Sequence, residues 1–306
     1  MKWRINLKIK NVNLLTLLVS VGLCGLLLAA CSSNSSSTGS DTNAVVVKPV
    51  KSFSGPAQLT SAGPVMTNNT QWLLAGTATD KTLVQINLNT GALGTPVPES
   101  SNAVAITETI NSVIAVGIAT PTSGAVEIHN GSNGALVKTI PVSAPVFSIS
   151  SSSDGSLIYV LTKAGNVSAL QEIATASDAL VSTSIPLVSD AISVAATTNG
   201  GDFFVLEANG KIDEVPASGV GRVESFSVGS NATSIVLSSD SQTLYALKCP
   251  PGSCNVSIVD VIGQQVEKVI PAPLDTVSIN LSLSGGSIWD AVGNSAVGNV
   301  QEFSLS

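Results

Sequence analysis

The chain has 306 residues and a formal net charge of −7, and it contains 44% hydrophobic but only 11% charged residues. An ordinary globular domain carries about 25% charged residues, so this composition points either to a membrane protein or to a soluble domain with few charges. Beyond the N-terminus no apolar run approaches the roughly 20 residues that span a bilayer as a helix. The lack of such runs excludes a helical membrane protein with several spans.

The first thirty residues have the pattern of a secretory signal peptide. Four basic residues within the segment 1–13 precede an almost wholly apolar run from Leu14 to Leu28, and small residues follow. A basic segment, an apolar run of this length and a small-residue cleavage site are typical of a cleaved signal rather than of a membrane span. The sequence predicts a signal peptide over residues 1–30.

The segment Leu28-Ala29-Ala30-Cys31 resembles the bacterial lipobox, in which the cysteine becomes the lipidated first residue of the mature protein. This resemblance implies that Cys31 carries several acyl chains, which together give a stable anchor. Ser32 follows the cysteine, and in a Gram-negative cell this residue favours the outer membrane; in other bacteria the cell surface is expected. The alternative is an ordinary signal peptide with an incidental cysteine.

From Cys31 onward the chain carries 8 lysines and 1 arginine against 20 acidic residues, a net charge of −11. An acidic chain without a Lys/Arg cluster argues against nucleic acid as a partner and against electrostatic docking on anionic lipid. The polar segment 31–43 has nothing to bury, so we expect a flexible tether. Contact with the membrane is expected only through the lipid anchor.

From Ala44 to Ser306 the apolar residues come in short bursts separated by Gly, Ser, Asn and Asp clusters, which is typical of many short strands. One such burst, Leu157 to Leu161, follows the turn sequence SSSDG, and near copies recur at spacings of 41 to 46 residues. Aligned apolar second strands begin near Trp72, Val113, Leu157, Phe203, Leu244 and Ile288. A period of 40 to 50 residues with four strands per unit predicts an all-β propeller. We expect six blades, with seven as the alternative.

The two ends of this repeat region predict how the ring closes. The last unit contains only three predicted strands, and the segment 44–53, AVVVKPVKSF, is similar to the fourth strands ALVKTIPV and QQVEKVIPA. We expect this N-terminal segment to complete the last blade, which leaves no long unpaired edge. A free N-terminal extension is the alternative.

Three segments carry a resemblance to a known family. They are VGSNATSIVLSSDSQTLYAL at 228–247, SISSSSDGSLIYVLT at 148–162 and the segment 256–272, VSIVDVIGQQVEKVIPA. They resemble YVTN-type β-propeller repeats of bacterial exported proteins, which are related to lactonase-like and cytochrome d1-like propellers. The resemblance implies a fold but no particular reaction.

Cys249 and Cys254 flank the turn sequence Pro-Pro-Gly-Ser between two predicted strands. In an exported chain, two thiols without further Cys or His residues nearby are expected to form a local disulfide rather than a zinc site.

Few residues after position 31 are suited to catalysis. The single arginine there, Arg222, excludes an arginine cluster of the sialidase kind, and His129 is the only histidine. We expect His129 at a polar strand end, solvated or locally hydrogen-bonded. Carboxylates remain the main chemical resource, as ligands for calcium or as an acid/base pair.

Polar residues recur just before four of the predicted first strands. They are Asn102, Asp190, Asn231 and Asp275, with Ala144 in the third unit. These positions are expected near one mouth of the central channel, where they would converge on a small ligand or cation. The alternative is that each residue caps its own loop.

Three functions are compatible with these features. The favoured hypothesis is a monomeric, non-catalytic binding or scaffold protein of the bacterial cell envelope, with an envelope protein or surface component as partner. The second is a lactonase-like hydrolase with a carboxylate-bound metal, calcium for example, at the central channel. The third is a purely structural surface protein whose low charge suits an acidic medium.

Overall fold

The short apolar runs of the sequence form β-strands, and these strands make six separate antiparallel sheets. The computed structural model describes residues 49–181, 184–187, 190–198, 201–216, 224–282, 285–293 and 298–305. The predicted signal peptide, Cys31 and the predicted tether lie outside these residues. No helix in the described part of the chain is long and apolar enough to cross a membrane.

Each sheet is one blade of four strands, except that the outer strand of blade 3 is split in two. Blade 1 contains β2 (Leu59–Ala62), β3 (Thr70–Gly76), β4 (Lys81–Asn87) and β5 (Val97–Glu99). Blade 2 contains β6 (Ala103–Glu108), β7 (Val113–Ala119), β8 (Gly124–Asn130) and β9 (Leu136–Val142). Blade 3 contains β10 (Val146–Ser151), β11 (Leu157–Ala164), β12 (Val167–Ala174), β13 (Ala179–Leu180) and β14 (Ile185–Leu187).

The remaining three blades repeat the arrangement. Blade 4 contains β15 (Ala191–Ala196), β16 (Asp202–Glu207), β17 (Lys211–Pro216) and β18 (Ser225–Ser227). Blade 5 contains β19 (Ala232–Leu237), β20 (Thr243–Lys248), β21 (Cys254–Asp260) and β22 (Gln265–Ala272). Blade 6 contains β23 (Thr276–Leu281), β24 (Ser287–Val292), β25 (Gly298–Ser304) and, at its outer edge, β1 (Lys51–Gly55). The prediction of a six-bladed propeller is confirmed.

The ring closes as predicted, through the N-terminal strand. β1 pairs antiparallel with β25, from Lys51 opposite Glu302 to Gly55 opposite Gly298. The strand begins later than the predicted segment 44–53, of which residues 44–48 lie outside the described part. Phe53 stacks on Trp289 with ring centroids 6.2 Å apart, so the closing strand is held by side-chain packing as well as by its backbone.

The core lies between the blades rather than inside any one of them. The described apolar residues form six buried clusters, and each contains side chains from two neighbouring blades. One of them joins blade 6 to blade 1 through Trp289 and Leu73. The second strands are accordingly buried on both faces, whereas outer strands such as β9 and β22 are largely exposed. This is why the second strands read as unbroken apolar runs.

A serine or threonine marks the turn after the first strand in five blades. Its hydroxyl accepts a hydrogen bond, 2.9–3.3 Å long, from the amide at the start of the second strand. The five residues are Thr109, Ser152, Thr197, Ser238 and Ser282. Asp154 and Asp240 add a carboxylate acceptor within two of these turns. The recurrent Ser-Asp turns of the sequence are therefore structural, since their side chains replace missing backbone partners.

Candidate functional site

The first strands of the six blades surround a central channel with a cavity volume of about 310 Å³. The described residues that line it are Ser, Thr, Asn, Pro and apolar residues, and none of them carries a charge. This part of the channel therefore offers hydroxyl groups and apolar surface to a ligand, but no carboxylate to hold a metal.

One mouth of the channel has a rim that is apolar in four of the six blades. The second residue of each first strand contributes to it, and the six residues are Thr60, Val104, Phe147, Ile192, Thr233 and Val277. Phe147 is 49% exposed, and the Lys163 ammonium lies 5.7 Å from the centroid of its ring. Val104, Phe147 and Ile192 come from three neighbouring blades, so the apolar part of the rim is continuous over half the ring.

The four polar residues predicted at the channel mouth occupy equivalent positions, each directly before a first strand. Their backbone carbonyls accept hydrogen bonds of 2.8–3.0 Å from backbone amides at the end of the second strand or directly after it. The pairs are Ala119 to Asn102, Ala208 to Asp190, Cys249 to Asn231 and Gly293 to Asp275, with the same bond to Gln58 in blade 1 and to Pro145 in blade 3. The equivalent residue in the third unit is therefore Pro145 and not Ala144.

These four side chains are exposed, and the channel cavity is lined by the residues that follow them along the first strands. Asn231 and Asp275 have φ values of 64° and 67°, a left-handed conformation that Asn and Asp tolerate better than most residues. The left-handed backbone at these two positions is thus sufficient to explain why they are Asn and Asp. Their convergence on a ligand remains a prediction.

The predicted disulfide between Cys249 and Cys254 is confirmed, and it joins the facing ends of β20 and β21. The lipidation of Cys31 concerns a residue outside the described part of the chain and remains a prediction.

A cluster that the sequence did not reveal lies between blades 1 and 2. Glu99 at the end of β5 meets Glu127 and His129 of β8, and one ligand-type atom from each lies within 4.8 Å of the other two. His129 Nε2 is 3.1 Å from Glu99 Oε2 and 4.0 Å from Glu127 Oε2. The side chains of His129 and Glu99 are only 3% and 2% exposed, whereas that of Glu127 is 19% exposed.

The ring of His129 is oriented by a backbone carbonyl. Its Nδ1 lies 3.0 Å from the carbonyl oxygen of Gly134, which can only accept a hydrogen bond, so Nδ1 carries a proton and Nε2 faces the two glutamates. Gly134 has φ +73°, and a Cβ at this position would lie 2.9 Å from the ring of Trp72. Glycine is therefore required at this turn for both its backbone conformation and its packing.

The charges of the cluster are interdependent. Burial alone raises the pKa of Glu99, but contacts with His129, with Glu127 and with the Ser100 amide hold it below its usual value. Burial likewise lowers the pKa of His129, but its contacts with Glu99 and the Gly134 carbonyl outweigh this and raise it. Burial and the neighbouring Glu99 raise the pKa of Glu127 to about 7. The opposite pKa shifts of His129 and Glu99 thus favour an ion pair between them, and the Glu127 carboxyl beside this pair titrates near neutral pH.

His129 was expected to be solvated or locally hydrogen-bonded at a polar strand end. The local hydrogen bond is present, to the Gly134 carbonyl, but the side chain is buried between two blades and not solvated. A weak signal was present in the sequence. Glu127 and His129 are two residues apart on a predicted strand and so point to the same face. Glu99, from another blade, could not be assigned to the cluster before the strand pairing was known.

Comparison with known proteins supports the fold. No protein-family model and no curated protein sequence matches the chain. Among solved structures, hydrazine synthase from Kuenenia stuttgartiensis is similar, with a TM-score of 0.56 and 19% sequence identity over 78% of this chain and 74% of that chain. At this identity the likeness is one of fold alone, and the chain is in fold a six-bladed β-propeller.

Proposed function

We propose that the protein is a lipid-anchored, extracytoplasmic propeller of the YVTN type that binds a protein of the bacterial cell envelope without catalysing a reaction. In this proposal Cys31 carries the lipid, the segment 31–43 is the tether, and the apolar rim of the channel is the contact surface. The single observation that carries the binding role is the exposed rim centred on Phe147.

The chemistry of the rim indicates what kind of partner it suits. Exposed aromatic and aliphatic side chains over an uncharged cavity favour an apolar side chain presented by another protein. The cavity of about 310 Å³ is at the lower limit of small-molecule sites, which span roughly 300–1,000 Å³. The loops and strand ends around one channel mouth present such a surface, while the tether keeps it clear of the membrane.

Site-specific crosslinking in intact cells tests this function. A photoreactive residue such as p-benzoylphenylalanine is introduced at Phe147, and at Val269 on the exposed outer strand β22 as the matched control. We expect the Phe147 position to give a discrete protein adduct that the Val269 position does not give. The adduct should disappear when Val104→Asp and Ile192→Asp place charges on the two blades that flank Phe147.

Two outcomes would overturn the proposed function. The first is an identical set of adducts from both positions. The second is an adduct at Phe147 that contains lipid and no protein. Membrane fractionation of the Cys31→Ser variant tests the anchor separately, because the anchored protein should move to the soluble extracytoplasmic fraction when the acylated residue is lost.

A further inference from the structure

The six blades of the chain act as an internal comparison for the cluster of Glu99, Glu127 and His129. The strand pairing shows which residue occupies the position of His129 on the third strand of every other blade. In all five the residue is apolar: Ile86, Ile173, Val215, Val259 and Phe303. The fold therefore has no need of a histidine at this position.

Glu99 departs from the repeat in the same way. In the four other blades whose outer strand pairs continuously at this level, the corresponding residues are Val142, Leu187, Ala272 and Gly55, none of which is charged. Two departures from the repeat, one in each of two neighbouring blades, thus meet at a single interface. Burying a histidine and a glutamate costs desolvation free energy that an apolar pair of the same volume would not cost. The fold alone therefore does not explain why these two residues are present.

The contact between the two groups is short but is not a well-formed hydrogen bond. His129 Nε2 and Glu99 Oε2 lie 3.1 Å apart, yet both atoms are buried without a hydrogen-bond partner of acceptable geometry. The imidazole is already fixed by Gly134, so Nε2 is aimed at this spot by a neighbour outside the cluster. A ligating histidine whose other nitrogen donates to a backbone carbonyl is the usual arrangement in metal sites.

The distances also fit a metal ion. Zinc bonds of about 2.0–2.1 Å to nitrogen and oxygen in a tetrahedral arrangement place the ligand atoms about 3.3 Å apart. The distances from His129 Nε2 to Glu99 Oε2 and Glu127 Oε2, 3.1 and 4.0 Å, bracket this value. Glu127 is the partly exposed member, which leaves one side of the cluster open for entry of an ion and for a water molecule as fourth ligand.

We propose that Glu99, Glu127 and His129 form a binding site for a divalent first-row transition metal ion, at the interface of blades 1 and 2. One imidazole nitrogen and two carboxylate oxygens are a donor set that suits zinc and its neighbours better than calcium, which prefers oxygen ligands alone. The site is separate from the channel and from its rim, so it does not depend on the proposed envelope function. The bound ion would join two blades that share no strand.

Metal binding to the purified full-length chain tests the site. The protein is produced without a histidine tag and titrated with Zn²⁺ by isothermal titration calorimetry, and with Co²⁺ while its visible absorption is recorded. We expect one ion per chain, a Co²⁺ spectrum of low coordination number, and a higher Tm in the presence of Zn²⁺. Ca²⁺ should not produce these effects.

The variants Glu127→Gln and His129→Gln should each weaken Zn²⁺ binding at least about 100-fold, because loss of an outer-sphere partner alone typically costs 10–100-fold. Glu267→Gln, which alters an exposed glutamate on β22, is the matched control and should bind as the wild type does. Glu127 is partly exposed, so its variant keeps the test decisive if the His129 variant does not fold.

The proposal is overturned if the wild type binds neither Zn²⁺ nor Co²⁺, if it binds Ca²⁺ in preference, or if Zn²⁺ binding persists unchanged in the Glu127 variant. The first result would leave the three residues as an ion-paired tie between the blades. The last would place the ion elsewhere on the chain.

Discussion

At the scale of single residues, the informative positions are those where one blade departs from the other five. Asp290, on the second strand of blade 6, is such a position. The corresponding residues in the other blades are Leu73, Val116, Val160, Val205 and Ala246. Asp290 is 2% exposed, and its Oδ1 has no hydrogen-bond partner. Burial raises the pKa of this carboxyl to about 7.

This carboxyl should make stability fall as pH rises. Below about pH 4 the Asp290 carboxyl is protonated in both the folded and the unfolded protein, so its ionisation does not lower the free energy of unfolding. Between about pH 4 and 7 the unfolded chain ionises it while the folded protein keeps it protonated, and the free energy of unfolding decreases. The variant Asp290→Asn should remove this decrease and raise the Tm at pH 8 by about 5–10 °C, which thermal unfolding from pH 4 to 8 measures.

The control for Asp290→Asn is a variant that removes an exposed carboxylate instead of a buried one. Glu267→Gln serves, since Glu267 is exposed on the outer strand of blade 5. A plot of Tm against pH for this variant should run parallel to that of the wild type. If the Asp290→Asn curve also runs parallel to the wild type over the whole range, the buried carboxyl does not set the pH dependence.

Residue-scale features divide into those that a sequence can predict and those that it cannot. The Ser-Asp turns and the disulfide depend on neighbours close in the chain, so both were predictable. The burial of His129 was not, because its partner Glu99 is on a different blade and becomes a neighbour only through strand pairing. The lack of a hydrogen-bond partner for Asp290 was not predictable either, because it depends on packing between blades.

At the scale of strands, every first strand contains the same irregularity. The pairing of first and second strands shifts register after the first residue of the first strand in all six blades. The third residue of each of these strands is small: Ser61, Ala105, Ser148, Ser193, Ser234 and Ser278. A bulge bends its strand locally, and the second residue of each first strand, which lies at the bulge, is among the residues that line the channel. The repeat of small residues was visible in the sequence, but the bulge was not, because it exists only relative to a partner strand.

The disulfide stabilises the end of one hairpin, and its effect is calculable from its short loop. Cys249 and Cys254 are five positions apart. Closing so small a loop in the unfolded chain is worth about 2 kcal/mol in the chain-entropy model. Replacing both with serine should therefore lower the Tm by about 4–8 °C. Dithiothreitol should lower the Tm of the wild type by a similar amount and leave the double variant unchanged; a reductant effect on both proteins would contradict the assignment.

At the scale of the whole molecule, the sequence predicted the ring well because each blade repeats one apolar pattern. The turn residues set the strand ends, and the doubly buried second strands require a neighbouring sheet on each face. Blade number followed from counting these strands. The channel and its uncharged lining could not be obtained in this way, because they depend on which residues of six separate strands face inward.

Ring closure leads to the last prediction, because one strand from the N-terminal side holds the last blade. β1 covers the edge of β25, and its Phe53 packs between Trp289 and the turn at Gly91. Replacing Lys51–Gly55 by a Gly/Ser segment of the same length should expose β25 as an unpaired edge. We expect this variant to unfold at a lower Tm and to form oligomers in size-exclusion chromatography with light scattering.

A synthetic peptide spanning residues 48–56 should restore the monomer and the Tm of that variant, because it supplies the missing strand in trans. The same peptide with Phe53→Asp keeps the backbone pairing but loses the stacking on Trp289, so it should fail or act only at much higher concentration. Gly91→Ala gives an independent check, since its Cβ would lie 2.5 Å from the Phe53 ring and should displace it. If the strand-replaced variant stays monomeric with the wild-type Tm, the ring is held closed by contacts between blades 6 and 1 that do not involve β1.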